Sequence, residues 1–167
     1  MTFETVPLDQ AAGAILAHSV VLPGLALKKG RRLLDADIAA LRAAGVGGVM
    51  VARVGAGDVP EDEAAARIAR AIKGDNVRVG EAFTGRANLY ATEDGVAAFD
   101  AEAVARLNSI DEGLTLATVP PFERVSARQM LATIKVIPFA LPERVVEQLQ
   151  LPCLMVLQLL LPCLMAW

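Results

Sequence analysis

Apolar residues return every third or fourth position in three stretches of this chain and every second position in several others, and the two rhythms alternate along it. In "DADIAALRAAG", Ile38 and Leu41 stand one turn apart, behind Asp35 as a candidate N-cap and ahead of Gly45, which suits the left-handed position past a helix end. "VPEDEAAARIARAIKG" carries the stripe Ala65, Ile68 and Ile72. It opens on Pro60 and three acids and closes on Arg67, Arg70, Lys73 and Gly74, the charge order that a helix dipole favours. A third helix is predicted from the cap Asp100 through "AEAVARLNSI", with Val104, Leu107 and Ile110 inward. Strands are predicted in "VGGVMVARV", "VRVGEAF", "LTLATV" and "QMLATIKVIPF". In the last, Met130, Ala132, Ile134 and Val136 alternate with Leu131, Thr133, Lys135 and Ile137, and Pro120-Pro121 marks the turn before it. Because the strands are not separated by one helix each, the pattern predicts an α+β fold, with mixed strands and short helices in one compact body.

Near Gln148 both rhythms stop. Every charged residue lies at or before Glu147, and Leu151–Trp167 holds 14 apolar residues out of 17, broken by Pro152, Gln158 and Pro162. The tail also repeats itself, since "VEQLQLPCLM" and "VLQLLLPCLM" agree at eight of ten positions. Solenoid units need about 20 residues or more, so this copy reads as a sequence accident. The expected organisation is therefore a body over 1–147 and an apolar tail over 148–167, with removal of the tail leaving the body folded. A membrane anchor is disfavoured, because about 17 apolar residues only reach the lower limit for a span and the two prolines remove backbone donors. The remaining option is packing on the body or on a second copy, as a homo-oligomer.

The chain has 167 residues, a formal charge of -3 and a pI near 5.2. That balance lacks the basic footprint of a nucleic-acid binder, and five Phe, one Tyr and one Trp leave little for base stacking. "MTFETVPLDQAAGAILAHSV" has no basic region ahead of its apolar run, unlike a secretory signal, so a cytoplasmic location is expected. Both cysteines, Cys153 and Cys163, lie in the tail and His18 is the one histidine. A disulfide framework, a thiolate or zinc centre and a serine-histidine couple are thereby disfavoured. No catalytic residue and no metal ligand set is assigned, and His18 in "AILAHSVV" reads as a strand residue.

Candidate binding chemistry concentrates in "TGRANLYA". Thr84, Gly85, Arg86 and Asn88 place a planar, permanently charged fork beside a glycine, where backbone approaches an oxyanion closely. The structural alternative is a strand start in which Arg86 pairs with Glu93, Asp94 or Asp111 and Asn88 bonds locally. Lys135 is the nearest helper by alternation. "LNSIDEGLTLATVPPF" adds Asn108, Asp111 and Glu112, whose carboxylates suit magnesium or acid–base work, or equally a polar turn after a helix. Lys28, Lys29, Arg31 and Arg32 surround Gly30 without the spacing of a phosphate-binding P-loop and read as a solvated turn.

The stretches "AAGAILAHSV", "LALKKGRRLLDADIAALRAAGV", "GDVPEDEAAARIA", "FTGRANLYA" and "LNSIDEGLTLATVPPFERVSARQMLATIKVIPFALP" resemble the N-terminal region of bacterial molybdopterin-binding proteins of molybdenum cofactor biosynthesis. The resemblance covers Leu8 to about Pro142. In that family a pterin-binding domain follows "IPFALP", and in fused forms a nucleotidyltransferase follows that. The resemblance implies that this chain is the leading domain alone, with molybdopterin and Mg2+ as cofactors of the whole protein and none in the isolated chain. It also implies a pterin or nucleotide phosphate as ligand, near Arg86 and Lys135. A non-catalytic scaffold or dimerisation module is the competing expectation.

Overall fold

A computed structural model describes residues 1–149 and, as backbone only, Gln158–Leu160. The fold is α+β, as the rhythms predict, and the chain divides into two compact units, Met1–Ala56 and Gly57 onward. The sequence pattern, which treats 1–147 as one body, carries no mark at that boundary.

In the first unit β1 (Thr2–Pro7) is followed by a 3-10 turn at Leu8–Gln10, then β2 (Ile15–Leu16), β3 (Val20–Leu22), β4 (Leu25–Leu27), α1 (Asp35–Ala43) and β5 (Gly48–Arg53). β5 lies between β1 and β2, antiparallel to both, with Thr2 opposite Arg53 and Pro7 opposite Gly48. Val49 and Val51 of β5 point inward while Met50 between them is exposed, the period of two that a half-buried strand imposes. With Leu8, Leu16, Leu33, Ile38 and Leu41 they form the core of this unit. The basic segment Lys28–Arg31 makes a tight turn, and Gly30 and Arg31 then bond back to Leu16.

Helix α1 starts at the residue expected to cap it, so the cap itself lies one residue earlier. Leu34 is the N-cap and Asp35 the first helical residue, because the capping carboxylate comes from Asp37. Asp37 is buried, accepts from the Leu34 amide at 3.1 Å and from Arg31 Nε at 2.9 Å, and so supplies one half of a capping box. Gly45 takes the left-handed conformation at φ 78°, as expected past the helix end.

The second unit runs β6 (Asp58–Pro60), α2 (Glu61–Ile72), β7 (Val77–Val79), β8 (Arg86–Ala91), β9 (Gly95–Ala98), α3 (Ala101–Asn108), β10 (Leu114–Thr118), β11 (Arg124–Val125), β12 (Met130–Val136), β13 (Ala140–Pro142), α4 (Glu143–Leu149) and β14 (Gln158–Leu160). Its main sheet is antiparallel in the order β10-β12-β8-β7. β13 pairs with β6, and β9 lies between β11 and β14. Helix α2 lies against β8 and β12, and its alanines Ala64, Ala65 and Ala69 are fully buried, which lets the helix approach the sheet closely. Ile68 and Ile72 complete the predicted stripe and meet Ala87, Leu89, Ile134 and Val136 in one core. Asp100 caps α3 by accepting from the Glu102 amide at 2.8 Å, and Leu107 is buried beneath it.

Two expectations need correction. The alternation in β12 changes phase at its start: Met130 opposes Tyr90, Ala132 opposes Leu89, and Leu131 sits in the bulge between them. A bulge adds a residue to one strand, so Leu131 is buried and Met130 exposed, while Ala132, Ile134 and Val136 stay inward. The body does not end at Glu147, because α4 runs to Leu149, which is fully buried with Val145 and Val146. Arg67 ties α4 to α2 through a two-pronged pair with Glu143 at 2.7 and 3.2 Å. Within the tail, the backbone of Gln158–Leu160 pairs with Ala98–Val96, so a strand from it joins a sheet of this unit, which is the packing on the body that its apolar composition left open. The rest of the repeated tail lies outside the described residues. No described helix is long and apolar enough to cross a membrane.

Asp37 gives the first prediction. The Arg31 guanidinium, and after it the Leu34 amide, hold its carboxyl below the usual carboxylate range. A group whose folded pKa is depressed stabilises the fold above its unfolded pKa, near 4, and loses that contribution as the pH falls through the folded value. Asp37→Ala is expected to lower stability by about 1 kcal/mol at neutral pH, with the gap to wild type closing below about pH 4. Urea denaturation at pH 7 and pH 3 checks both parts, and a gap independent of pH would contradict the assignment.

Candidate functional site

The two-residue turn Thr84-Gly85 enters β8, and both residues have positive φ, 49° and 69°. Phe83 and Arg86 exchange backbone hydrogen bonds across it at 2.9 and 3.1 Å, the geometry of a type I′ hairpin turn. Glycine is required at the second position for space as well as for φ. A Cβ on Gly85 would lie 2.5 Å from the Val136 carbonyl oxygen and 2.6 Å from a Glu61 carboxylate oxygen. The Gly85 amide donates to Asp62 Oδ1 at 2.6 Å and its carbonyl accepts from the Val136 amide at 2.7 Å. The turn is therefore held between the start of α2 and the end of β12, and its amide is already bound to a carboxylate of the protein.

Beyond the turn, alternation decides what faces outward. Ala87, Leu89 and Ala91 point into the core, so Arg86, Asn88 and Tyr90 share the opposite face of the sheet. The register of β8 with β12 places Arg86 opposite Lys135 and Asn88 opposite Thr133. Thr115 of β10 lies opposite Lys135 on the other side. Arg78 of β7 lies opposite Tyr90, with its guanidinium 4.8 Å from the ring centre. The outward face thus carries three cations, two threonines, an asparagine and one tyrosine, and no acidic side chain at these paired positions.

The candidate residues differ in how far the protein already uses them. Arg86 is exposed and its guanidinium has no ion-pair or hydrogen-bond partner among the described residues, so the pairing with Glu93, Asp94 or Asp111 weighed as its structural alternative is absent. Lys135 is half-buried and donates to the Thr84 carbonyl, which anchors its ammonium beside the turn. Asn88 accepts from the Thr133 hydroxyl at 2.7 Å and donates to the Tyr90 hydroxyl at 3.1 Å.

Asn108, Asp111 and Glu112 lie in the connection from α3 to β10. The Asn108 amide clamps Leu116, donating to its carbonyl at 3.0 Å and accepting from its amide at 2.7 Å, so it mimics one more strand residue beside β10. Asp111 accepts from the Gly113 amide at 2.8 Å, closing the turn before the strand. Gly113 accepts from Ile137, the residue after the Val136 that bonds Gly85, so both turns meet the same end of β12. Glu112 is exposed beside a shallow depression of about 380 Å³ that it shares with Asp111, Ile137 and Pro138. No three His, Cys, Asp or Glu side chains gather into a metal-binding group among the described residues.

Sequence reasoning overlooked Arg78, Tyr90 and Thr133 as members of this face. Period-two counting from Arg86 reaches Tyr90 and from Lys135 reaches Thr133, but placing Arg78 requires the pairing of β7 with β8. His18 is exposed.

A family described as a domain of unknown function (DUF8806) matches residues 5–53, which lie in the first unit. Neither the curated proteins nor the solved structures give a match to the chain.

Gly85 carries the prediction for this site. Gly85→Ala forces a Cβ against the Val136 carbonyl in a left-handed conformation, and a cost of about 2 kcal/mol or more is expected. Chemical denaturation measures it; unchanged stability would mean that the turn tolerates a side chain and is not held as described.

Proposed function

We propose that this chain is the leading domain of a molybdopterin-binding protein of molybdenum cofactor biosynthesis, and that its outward sheet face contributes to binding an anionic pterin or nucleotide. The observation that carries the reading is the cross-strand pair of Arg86 and Lys135, in which the arginine fork has no partner among the described residues. A guanidinium presents parallel N–H groups that match a phosphate, and an ammonium beside it adds charge without directional demand. The residues present suit such a ligand: Thr115 adds an exposed hydroxyl opposite Lys135, and the Tyr90 ring offers an apolar flank. Molybdopterin would supply the dithiolene that holds molybdenum. The part of this chain is to bind and orient the phosphate end, and no catalytic residue or metal ligand is assigned to it.

A second reading, a scaffold or dimerisation module without a ligand of its own, draws on a different observation. Asn88, Asn108, Asp111 and the Gly85 amide are all engaged within the protein and hold strands and turns together.

Arg86 separates the two. A hydrogen bond to a charged group is worth about 1.5–3 kcal/mol, so Arg86→Ala is expected to weaken binding of a phosphorylated pterin or a nucleoside monophosphate roughly tenfold or more. Arg86→Lys, which keeps charge but loses the fork, falls between Ala and wild type. Calorimetric titration reads the affinities. Equal affinity in wild type and both variants would retire the binding face in favour of the scaffold.

A further inference from the structure

The first unit contains an open cleft of about 430 Å³ that the proposed ligand face does not involve. Its lining is mostly small and apolar, Ala12, Gly13, Ala14 and Ala52 with Ile15 and Val54, and includes Arg32 and Arg53. Small side chains leave room there for a ligand body, and a volume of this order lies in the range of small-molecule sites. The lining contains no acidic residue.

The two arginines are fixed by backbone. Arg32 Nη1 donates to the Gly13 carbonyl at 2.7 Å, and Arg53 Nη2 donates to the Gln10 carbonyl at 2.8 Å. Gly13 sits at φ 77°, and its own amide donates to Leu33 at 2.8 Å, so the loop that receives Arg32 is itself tied to the segment carrying it. Arg53 also pairs with Glu4, which balances its charge. Arg32 has no carboxylate partner among the described residues. The cleft therefore holds one uncompensated positive charge, on a guanidinium already oriented by a hydrogen bond, with its remaining N–H groups unassigned within the protein.

We propose that this cleft binds a small organic monocarboxylate, its carboxylate taken by Arg32 with Arg53 beside it and its apolar body lying over Ala12, Gly13, Ala14 and Ala52. One free cation matches one negative charge, and a planar fork matches a carboxylate in two parallel hydrogen bonds. A dianionic phosphate would leave a charge unbalanced in the same place.

The test is a nitrogen-15 NMR titration of the full chain with benzoate, with benzamide as the neutral isostere and inorganic phosphate as the competing anion. Saturable shifts are expected for the amides of residues 12–15 and 52–54 and for the Arg32 side chain with benzoate, at least tenfold weaker with benzamide or phosphate. Arg32→Gln should abolish them and Arg32→Lys should weaken them. Ala12→Glu is the second variant, since Ala12 is exposed and a new carboxylate there repels the ligand without touching the core. A dispersed spectrum shows in each case that the variant is folded. Equal response to benzoate and benzamide, tighter binding of phosphate, shifts mapping elsewhere, or no saturable shift would each overturn the proposal.

Discussion

The close seating of helix α2 on strands β8 and β12 sets nearly everything else in the second unit. Three fully buried alanines and two isoleucines let the helix press on Ala87, Leu89, Ile134 and Val136, so the apolar set of each strand is committed to one face. Side chains alternate strictly in a strand, and a slip of one residue would bury Arg86 and Lys135 in place of Ala87 and Ile134. Burying unpaired cations costs far more than any contact recovered, so the register is well specified. The charged outward face follows from the apolar inward one.

Two local devices protect that register. The Thr84-Gly85 turn fixes where β8 begins, through left-handed residues and the bond from the Gly85 amide to Asp62 at the first turn of α2. The bulge at Leu131 absorbs one residue at the opposite end of β12, so Met130 faces out beside Tyr90 while the remainder of the strand keeps its phase. Between them Arg86 meets Lys135 and Asn88 meets Thr133. The arginine is left with its donors unused while the asparagine is consumed by its neighbours.

Much of this architecture was legible in the amino-acid sequence because burial imposes a period. The stripe of α2, the Asp100 cap of α3 and the strands β5, β8, β10 and β12 all carry it. β1 does not, since only Val6 within Thr2–Pro7 is buried, and α4 was hidden because it has just three apolar positions, Val145, Val146 and Leu149, and straddles the point where the charged residues stop. The unit boundary at Ala56 lies in a Gly-rich stretch that resembles an ordinary loop. At the candidate face, Arg86 and Asn88 stand two residues apart, which places them on one side of a strand. Alternation named Lys135 as the helper, while its place directly opposite Arg86 is set by a long-range register, and the clamp of Asn108 on Leu116 is a tertiary contact that no local pattern encodes. The arginine cleft of the first unit was invisible for the same reason, its walls coming from segments about 20 residues apart in sequence.

The central claim is that the outward face of this sheet meets a phosphate-bearing ligand through its paired cations. Nitrogen-15 NMR of the full chain, titrated with a phosphorylated pterin at low and high salt, tests it most directly. The account predicts saturable shifts at Arg86, Asn88, Thr133 and Lys135, and weaker binding as salt screens the charges. Shifts absent from β8 and β12, or insensitive to salt, would contradict it.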